Sequence, residues 1–278
     1  MIVIEPHIHM YSRTTDDYAA MHEAGIRACV EPSFWLGVNR RYAGTFFDYF
    51  NLILEFETVR ARRFGVDHWA AVSLNPKEAE DPILAGEVIC GLAEYLNHPR
   101  CVALGEIGFN RITPREEQAV VRQLEIAQRD NLLVIVHLPH VDKLKGLRRT
   151  LAILDSFNLD RNRIVLDHNT EETIALSRDS ACWSGMTVYP YSKLSHERVA
   201  NIIRHYGAER ILVNGSADWG ISDPLSLLKV ADHLRTVGHT PQTIRDLVCS
   251  NPLAFYGQCP KWKPELDLKP VDPREFQR

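Results

Sequence analysis

Residues 1–12, MIVIEPHIHMYS, join an apolar, strand-like run to two histidines that lie two positions apart. Side chains at positions i and i+2 of a strand point to the same side, so a strand over residues 2–9 would direct His7 and His9 at one point. Imidazole is the commonest metal ligand in proteins. The opening therefore predicts the first strand of a sheet with part of a metal site at its end, which further strands and ligands must complete.

Seven more strand-like runs follow, and segments with helical periodicity separate them. The predicted strands are 2–9, 26–32, 68–75, 102–107, 132–137, 163–168, 183–188 and 210–214, and the clearest predicted helices are 114–129, 144–157, 195–206 and 224–236. This alternation predicts a parallel α/β fold. A closed (β/α)8 TIM barrel of about 250 residues fits the length. An open doubly wound sheet is the alternative, but no GxGxxG turn follows the first strand.

Two segments depart from the regular alternation. Residues 33–66 form a long, aromatic-rich connection, and we expect its loop part, residues 35–44, to combine packing on the barrel with the role of a lid over its mouth. Residues 258–278 carry four prolines and alternating charge. We expect residues 1–257 to form the barrel domain and this proline-rich tail to be extended, either draped over the barrel or partly disordered.

Composition narrows the class of protein. The formal net charge of −4 gives no basic field that would attract nucleic acid, which makes nucleic acid a less favoured partner. Six cysteines are scattered without a CxxC pair, as expected for reduced thiols in the cytoplasm. Nothing at the start resembles a signal peptide, and no apolar run approaches the ~18 residues of a membrane span. We therefore expect a cytoplasmic protein without a membrane partner; composition leaves the oligomeric state open.

Candidate metal ligands lie at the carboxyl ends of five predicted strands, where TIM-barrel enzymes place their catalytic residues. They are His7 and His9 after the first strand, Glu106 at the fourth, His137 at the fifth, His168 at the sixth, and Asp218 just beyond the eighth. Each of these residues alone has an ordinary explanation as a hydrogen-bonded, ion-paired or turn residue. The chain has 12 histidines in all, so a single histidine at a strand end is weak evidence for a metal site. Their joint placement is what predicts a site.

Four histidines and two carboxylates suit two divalent ions with nitrogen and oxygen ligands, typically Zn²⁺, with Mn²⁺, Mg²⁺ or Fe²⁺ as alternatives. Glu106, central in the strand order, is expected to bridge them. Two ions about 3.5–4 Å apart would turn a shared water into a bridging hydroxide and polarise the scissile group. Asp218 would take the proton and pass it to the leaving group. The constellation thus predicts a hydrolase with Asp218 as its catalytic base.

The order HxH, GEIG, VHL, DHN and SAD resembles the TatD family of metal-dependent hydrolases, within the amidohydrolase superfamily. The resemblance covers most of residues 1–257; GEIGFN is its most specific part, and SNPLAFYG resembles the family's closing helix motif. It implies that one ion is held by His7, His9 and Asp218 and the other by His137 and His168, with Glu106 between them.

Positions around these motifs differ from the family's usual residues, at Glu5, Asn110, residues 138–140 and Ser216. Because every predicted ligand is kept, these differences imply a working metal site with an altered substrate. The family's deoxyribonuclease members imply phosphodiester cleavage, whereas the acidic charge and altered pocket favour a small-molecule ester, lactone or amide. A scaffold or interaction protein that retained the metals is the alternative from a different class, and the intact ligands argue against it.

Overall fold

The computed structural model of the chain describes residues 1–272. Its eight strands form one parallel sheet in which every strand pairs with the next in sequence. The strands are β1 (Val3–Glu5), β2 (Ile26–Pro32), β3 (Asp67–Val72), β4 (Cys101–Gly108), β5 (Val134–His137), β6 (Ile164–Asp167), β7 (Trp183–Thr187) and β8 (Ile211–Asn214). All eight predicted strands are present, in the predicted order.

Helices connect successive strands and follow the last one. They are α1 (Thr15–Ala24), α2 (Ala43–Asn51), α3 (Glu57–Arg62), α4 (Pro82–Leu96), α5 (Pro114–Asp130), α6 (Lys143–Leu154), α7 (Ile174–Asp179), α8 (His196–Tyr206), α9 (Ser226–Thr236), α10 (Pro241–Arg245) and α11 (Asn251–Tyr256). The π-helical segment Leu52–Phe56 makes α2 and α3 one continuous helical run. The local sequence explains where α5 begins, because Thr113 caps the helix and Pro114 occupies its first position.

Backbone hydrogen bonds join the two edges of the sheet beyond the end of β8. The amide of Ser216 donates to the carbonyl oxygen of His7 at 2.8 Å, and the amide of His9 donates to that of Ala217 at 2.9 Å. The buried carboxylate of Glu5 accepts the amide of Gly215 at 3.1 Å. The fold is therefore a nearly closed (β/α)8 barrel, as predicted, and not an open doubly wound sheet.

Apolar side chains fill the barrel and its amino-terminal end. Inward-facing residues of the strands include Ile4, Val30, Val102, Ile135, Val165 and Leu212. Below them, Phe255 of α11 lies 5.6 Å from Trp183, measured between ring centroids, and Trp262 lies 5.1 Å from Trp69. Because this end is plugged, only the opposite end, formed by the carboxyl ends of the strands, is left for a site.

The tail packs on the barrel along residues 258–272. Lys261 donates to the carbonyl oxygen of Leu96 at 2.6 Å, and the amide of Glu265 donates to Asp67 at 2.9 Å. This part of the tail is draped over the barrel, one of the two forms expected; residues 273–278 of the predicted tail lie outside the described residues. Across residues 1–272, no helix has both the length and the apolar character that a membrane span requires.

Two predicted strands extend three or more residues beyond the observed carboxyl ends. β1 ends at Glu5 and not at residue 9, because Pro6 has no backbone N–H to donate to a neighbouring strand. His7 and His9 consequently lie in an extended loop, although the amide of Ile8 still donates to Val30 of β2 at 3.1 Å. β3 ends at Val72 and not at residue 75. The loop predicted at residues 35–44 ends at residue 42, because α2 begins at Ala43.

Candidate metal centre

The structure brings five of the six predicted ligands to one point at the carboxyl ends of the strands. The Oε1 atom of Glu106 lies 3.0 Å from Nε2 of His168, 3.3 Å from Nδ1 of His137 and 3.4 Å from Nε2 of His7. Nε2 of His9 lies 3.1 Å from Nε2 of His7. Glu106 therefore contacts three imidazoles, and His9 joins the cluster through His7, so that the four imidazoles come from three different parts of the chain.

Burial sets the protonation of this cluster. Removal from water lowers the pKa of His9, His137 and His168, which favours the neutral imidazoles that can bind a metal. Burial alone would raise the pKa of Glu106, but electrostatic interaction with His7 and His137 and hydrogen bonds from His137 and His168 hold it well below its ordinary value. The cluster thus combines neutral nitrogens with an ionised carboxylate.

Asp167, at the end of β6, orients His7. Its Oδ2 lies 2.6 Å from Nδ1 of His7, and its Oδ1 accepts the amide of His168 at 2.7 Å. The amide nitrogen of Asn214 donates to both oxygens at 3.0 Å. Gly185 of β7 leaves room for this carboxylate, because a Cβ there would lie 2.2 Å from Oδ1. Burial would raise the pKa of Asp167, but His168 and His7 hold it well below its ordinary value.

The hydrogen bond to Asp167 shows that the cluster fits a cation. When the His7 ring is neutral and donates its Nδ1 proton to this carboxylate, Nε2 carries a lone pair. That lone pair faces Oε1 of Glu106, at 3.4 Å, which is also an acceptor. Buried acceptors that face one another need a proton or a cation between them. Imidazole nitrogens with a carboxylate are a ligand set that suits Zn²⁺ and its first-row neighbours.

Asp218, the sixth predicted ligand, lines the same cavity as Glu106 and His168. Its Oδ1 accepts hydrogen bonds from the hydroxyl of Tyr189 and the amide of Gly220, both at 2.7 Å. Within residues 1–272, no hydrogen bond or ion pair joins it to Glu106 or to the four histidines. The structure therefore places Asp218 at the predicted mouth with its orientation fixed, while its role as a ligand and base stays a prediction.

A cavity of about 360 Å³ opens onto the cluster. The loop between β2 and α2 forms part of its wall: Phe34 stacks on His9 with ring centroids 4.0 Å apart, and Trp35 lies 6.1 Å from Trp219. These aromatic residues therefore face the site and do more than pack on the barrel.

Five polar residues of the cavity wall were not predicted from the sequence, namely Asn75, Lys77, Tyr189, Ser192 and Lys193. Tyr189 and Lys193 follow β7, a strand for which no candidate was proposed, and Lys77 follows β3. Their positions after strand ends were the available signal. Lysine and tyrosine are not among the preferred ligands of Zn²⁺, so a prediction of metal ligands does not include them.

Comparison with known proteins agrees with this geometry. Residues 5–219 match the family described as TatD related DNase. An uncharacterized metal-dependent hydrolase from Methanocaldococcus jannaschii is 29% identical over 259 residues, which cover 91% of this chain and 99% of that protein.

Two solved structures share the architecture. A TatD-like protein from Archaeoglobus fulgidus superposes with a TM-score of 0.75 and 26% identity, over 91% of this chain and 99% of the other. A phosphotriesterase from Mycobacterium tuberculosis superposes with a TM-score of 0.65 over 91% of this chain and 93% of the other. At 13% identity, the second likeness concerns the fold alone.

Proposed function

Because the chain belongs to the TatD-related DNase family, we propose that it is a metal-dependent hydrolase whose metal centre is the cluster around Glu106. One observation carries the proposal: Oε1 of this buried carboxylate lies 3.0–3.4 Å from nitrogens of three imidazoles. Divalent ions at this cluster would activate water and polarise the scissile bond. A scaffold protein would have no need of a carboxylate held in this way.

We propose two ions per chain, with Zn²⁺ as the favoured metal and Mn²⁺, Mg²⁺ or Fe²⁺ as alternatives. The assignment is one ion with His7, His9 and Asp218, a second with His137 and His168, and Glu106 shared. The contacts of Glu106 with His7 and with the other two imidazoles support a shared role. Six ligands also exceed the four of a tetrahedral Zn²⁺ site.

Residues of the chain would transfer the proton and orient the metal ligands. Asp218 is the proposed general base, which accepts a proton from the attacking water and returns it to the leaving group. Tyr189 and Gly220 hold its Oδ1, so Oδ2 is the oxygen available for that exchange. Asp167 keeps the Nδ1 proton on His7 and thereby keeps Nε2 free to bind a metal.

For the substrate, we favour a small-molecule ester, lactone or amide, with a phosphodiester as the second candidate. The cavity of about 360 Å³ falls within the range typical of small-molecule sites, about 300–1,000 Å³. Family membership supports the phosphodiester. The cytoplasm is our proposed location, which the free state of all six cysteines supports.

The test is a panel of 4-nitrophenyl esters, lactones and bis(4-nitrophenyl) phosphate, assayed with Zn²⁺- and Mn²⁺-loaded protein. We expect hydrolysis of at least one substrate that a chelator abolishes and that returns when the metal is added back. Asp16→Asn, an exposed change on α1, is the matched control and should leave the rate unchanged. Metal-loaded protein that cleaves no member of the panel would favour the scaffold alternative.

A further inference from the structure

We propose that the substrate is a small molecule in which an anionic oxyacid group, a carboxylate or a phosphate, adjoins a flat apolar ring. This proposal rests on the proposed function and makes its substrate class more specific. The ammonium groups of Lys193 and Lys77 would hold the anion. The aromatic wall formed by Phe34, Trp35 and Trp219 would hold the ring. All five residues line the cavity that opens onto the metal cluster.

Lys193 brings its charge to the edge of the metal centre. Its Nζ lies 3.2 Å from Nδ1 of His168 and 3.2 Å from Oγ of Ser216. Thr187, the last residue of β7, lies closer to the same imidazole nitrogen, with its Oγ1 at 2.6 Å. The connection after β7 therefore directs a cation at the side of the site where a substrate group must sit.

Metal binding would leave Lys193 with unused donors. If Nε2 of His168 binds a metal, the neutral ring carries its proton on Nδ1, which then donates to Thr187. A protonated Nδ1 cannot accept from Lys193, whose ammonium has three donors and no acceptor. Ser216 can accept one of the three. The other two are free to bind an anionic oxygen of a substrate.

The balance of charge leads to the same conclusion. The chain has a net charge of −4, yet no carboxylate within residues 1–272 forms an ion pair with Lys77 or Lys193. The carboxylates whose charge acts on Lys193 are Glu106, Asp167 and Asp218. Divalent ions at the cluster would offset these negative charges, so an anion from the substrate would complete the balance.

The aromatic wall is held in place next to Lys77. Nζ of Lys77 lies 4.3 Å from the centroid of the Trp35 ring, a cation–π geometry. The loops that carry these two residues are tied together by the nearly buried ion pair of Arg40 and Glu78, in which Nε donates to Oε1 at 2.8 Å. Trp219 is 54% exposed at the mouth, where a flat ring could cover it. Cation and ring surface are thus presented side by side.

Isothermal titration calorimetry of the Zn²⁺-loaded protein tests the proposal independently of turnover. The ligands are 2-naphthoate, its neutral analogue 2-naphthamide, and 2-naphthyl phosphate. We expect naphthoate to bind at least about tenfold more tightly than naphthamide, as one charge-assisted hydrogen bond would give. Comparison of 2-naphthyl phosphate with 2-naphthoate shows whether the site prefers a phosphate or a carboxylate.

Three variants distinguish the contribution of the lysines to naphthoate affinity from that of direct binding of the carboxylate to the metal. Lys193→Met and Lys77→Met should each weaken naphthoate binding about tenfold and leave naphthamide binding unchanged. Lys77 is exposed, so its variant should fold normally. The matched control is Lys145→Met, exposed on α6, which should change neither affinity.

Equal affinity for naphthoate and naphthamide would overturn the proposal. So would a naphthoate preference that survives when Lys77→Met and Lys193→Met are combined in one protein, since the metal alone would then account for it. Lysine-dependent binding of a single-stranded oligonucleotide, tighter than that of naphthoate, would overturn the assignment to a small molecule. Lysine-dependent naphthoate binding by protein that hydrolyses no ester, lactone or phosphodiester of the substrate panel would instead refute the proposed function and leave the binding site standing.

Discussion

Asp218 differs from the other proposed ligands because its carboxylate is held by Tyr189 and Gly220 and not by the histidine cluster. Asp218→Asn keeps the size and an oxygen but removes the base. We expect turnover of a metal-dependent substrate to fall by about 10²–10⁴-fold. Bound metal should fall much less, because the five clustered ligands remain. Steady-state kinetics and elemental analysis on the same sample measure both quantities.

Asp16→Asn serves again as the control for this change, since Asp16 is exposed on α1. Near-full activity of Asp218→Asn would show that the base has been assigned wrongly. Asp167 or His140 would then be the next residue to change, because the first contacts His7 and the second lines the cavity.

Glu31 and His68 form a buried pair below the metal centre, with 2.8 Å between Oε2 and Nε2. Burial raises the pKa of Glu31 to about 8 and lowers the pKa of His68 to about 4. In an unfolded chain these values are about 4.3 and 6.5. Between about pH 6.5 and 8, folded Glu31 keeps a proton that the unfolded chain has released, so this residue makes stability fall as pH rises.

We therefore expect the Glu31→Gln variant to lose less stability than the native protein between pH 6.5 and 8. Glutamine stays neutral over this range and still offers an oxygen to the amide of Tyr11, which Glu31 accepts at 2.9 Å. His68 is neutral in both states over this range and adds little to the difference. Urea unfolding at four pH values measures the slopes; parallel profiles would contradict the raised pKa of Glu31.

At the scale of elements, strand β7 has Gly185 at the position where any larger side chain would overlap the carboxylate of Asp167. In Gly185→Ala, the new methyl group would lie 2.2 Å from Oδ1 of Asp167 and would displace that carboxylate from His7. We expect metal affinity to fall by about 10–100-fold, the usual effect of losing a partner that orients a ligand. Competition with a chromophoric chelator measures the affinity.

Gly44→Ala is the matched control, because nothing lies within 4 Å of a Cβ at this exposed position of α2. It should leave metal affinity unchanged and stabilise the helix slightly. Unchanged affinity in Gly185→Ala would mean that Asp167 does not position His7.

The sequence predicted the strands well and their ends less well. Alternation of apolar runs located all eight strands, but the effect of Pro6 on the end of β1 depends on the neighbouring strand. The two histidines nevertheless meet, because hydrogen bonds to Ser216 and Ala217 hold the loop that carries them. Such pairings between distant segments leave no local trace in the sequence.

At the scale of the whole molecule, barrel closure explains why ligands separated by up to 161 positions, His7 and His168, meet at Glu106. The rule that TIM-barrel sites lie at the carboxyl ends of the strands was enough to propose them. It could not find Lys77 and Lys193, because a lysine becomes part of this cavity only through the path of its loop. The meeting of five of the six predicted residues was thus predictable from the sequence, whereas the residues proposed to bind the substrate were not.

The proposed metal centre has two ions with Glu106 as a ligand common to both, and the metal content of the reloaded protein tests this most directly. Protein stripped with a chelator, incubated with excess Zn²⁺ and desalted should contain two ions per chain by elemental analysis. Glu106→Gln should lose more metal than any single change of His7, His9, His137 or His168, because a bridging ligand serves both ions. A native protein that stays at one ion or fewer with excess Zn²⁺ or Mn²⁺, or a Glu106→Gln variant that retains the full content, would contradict the account.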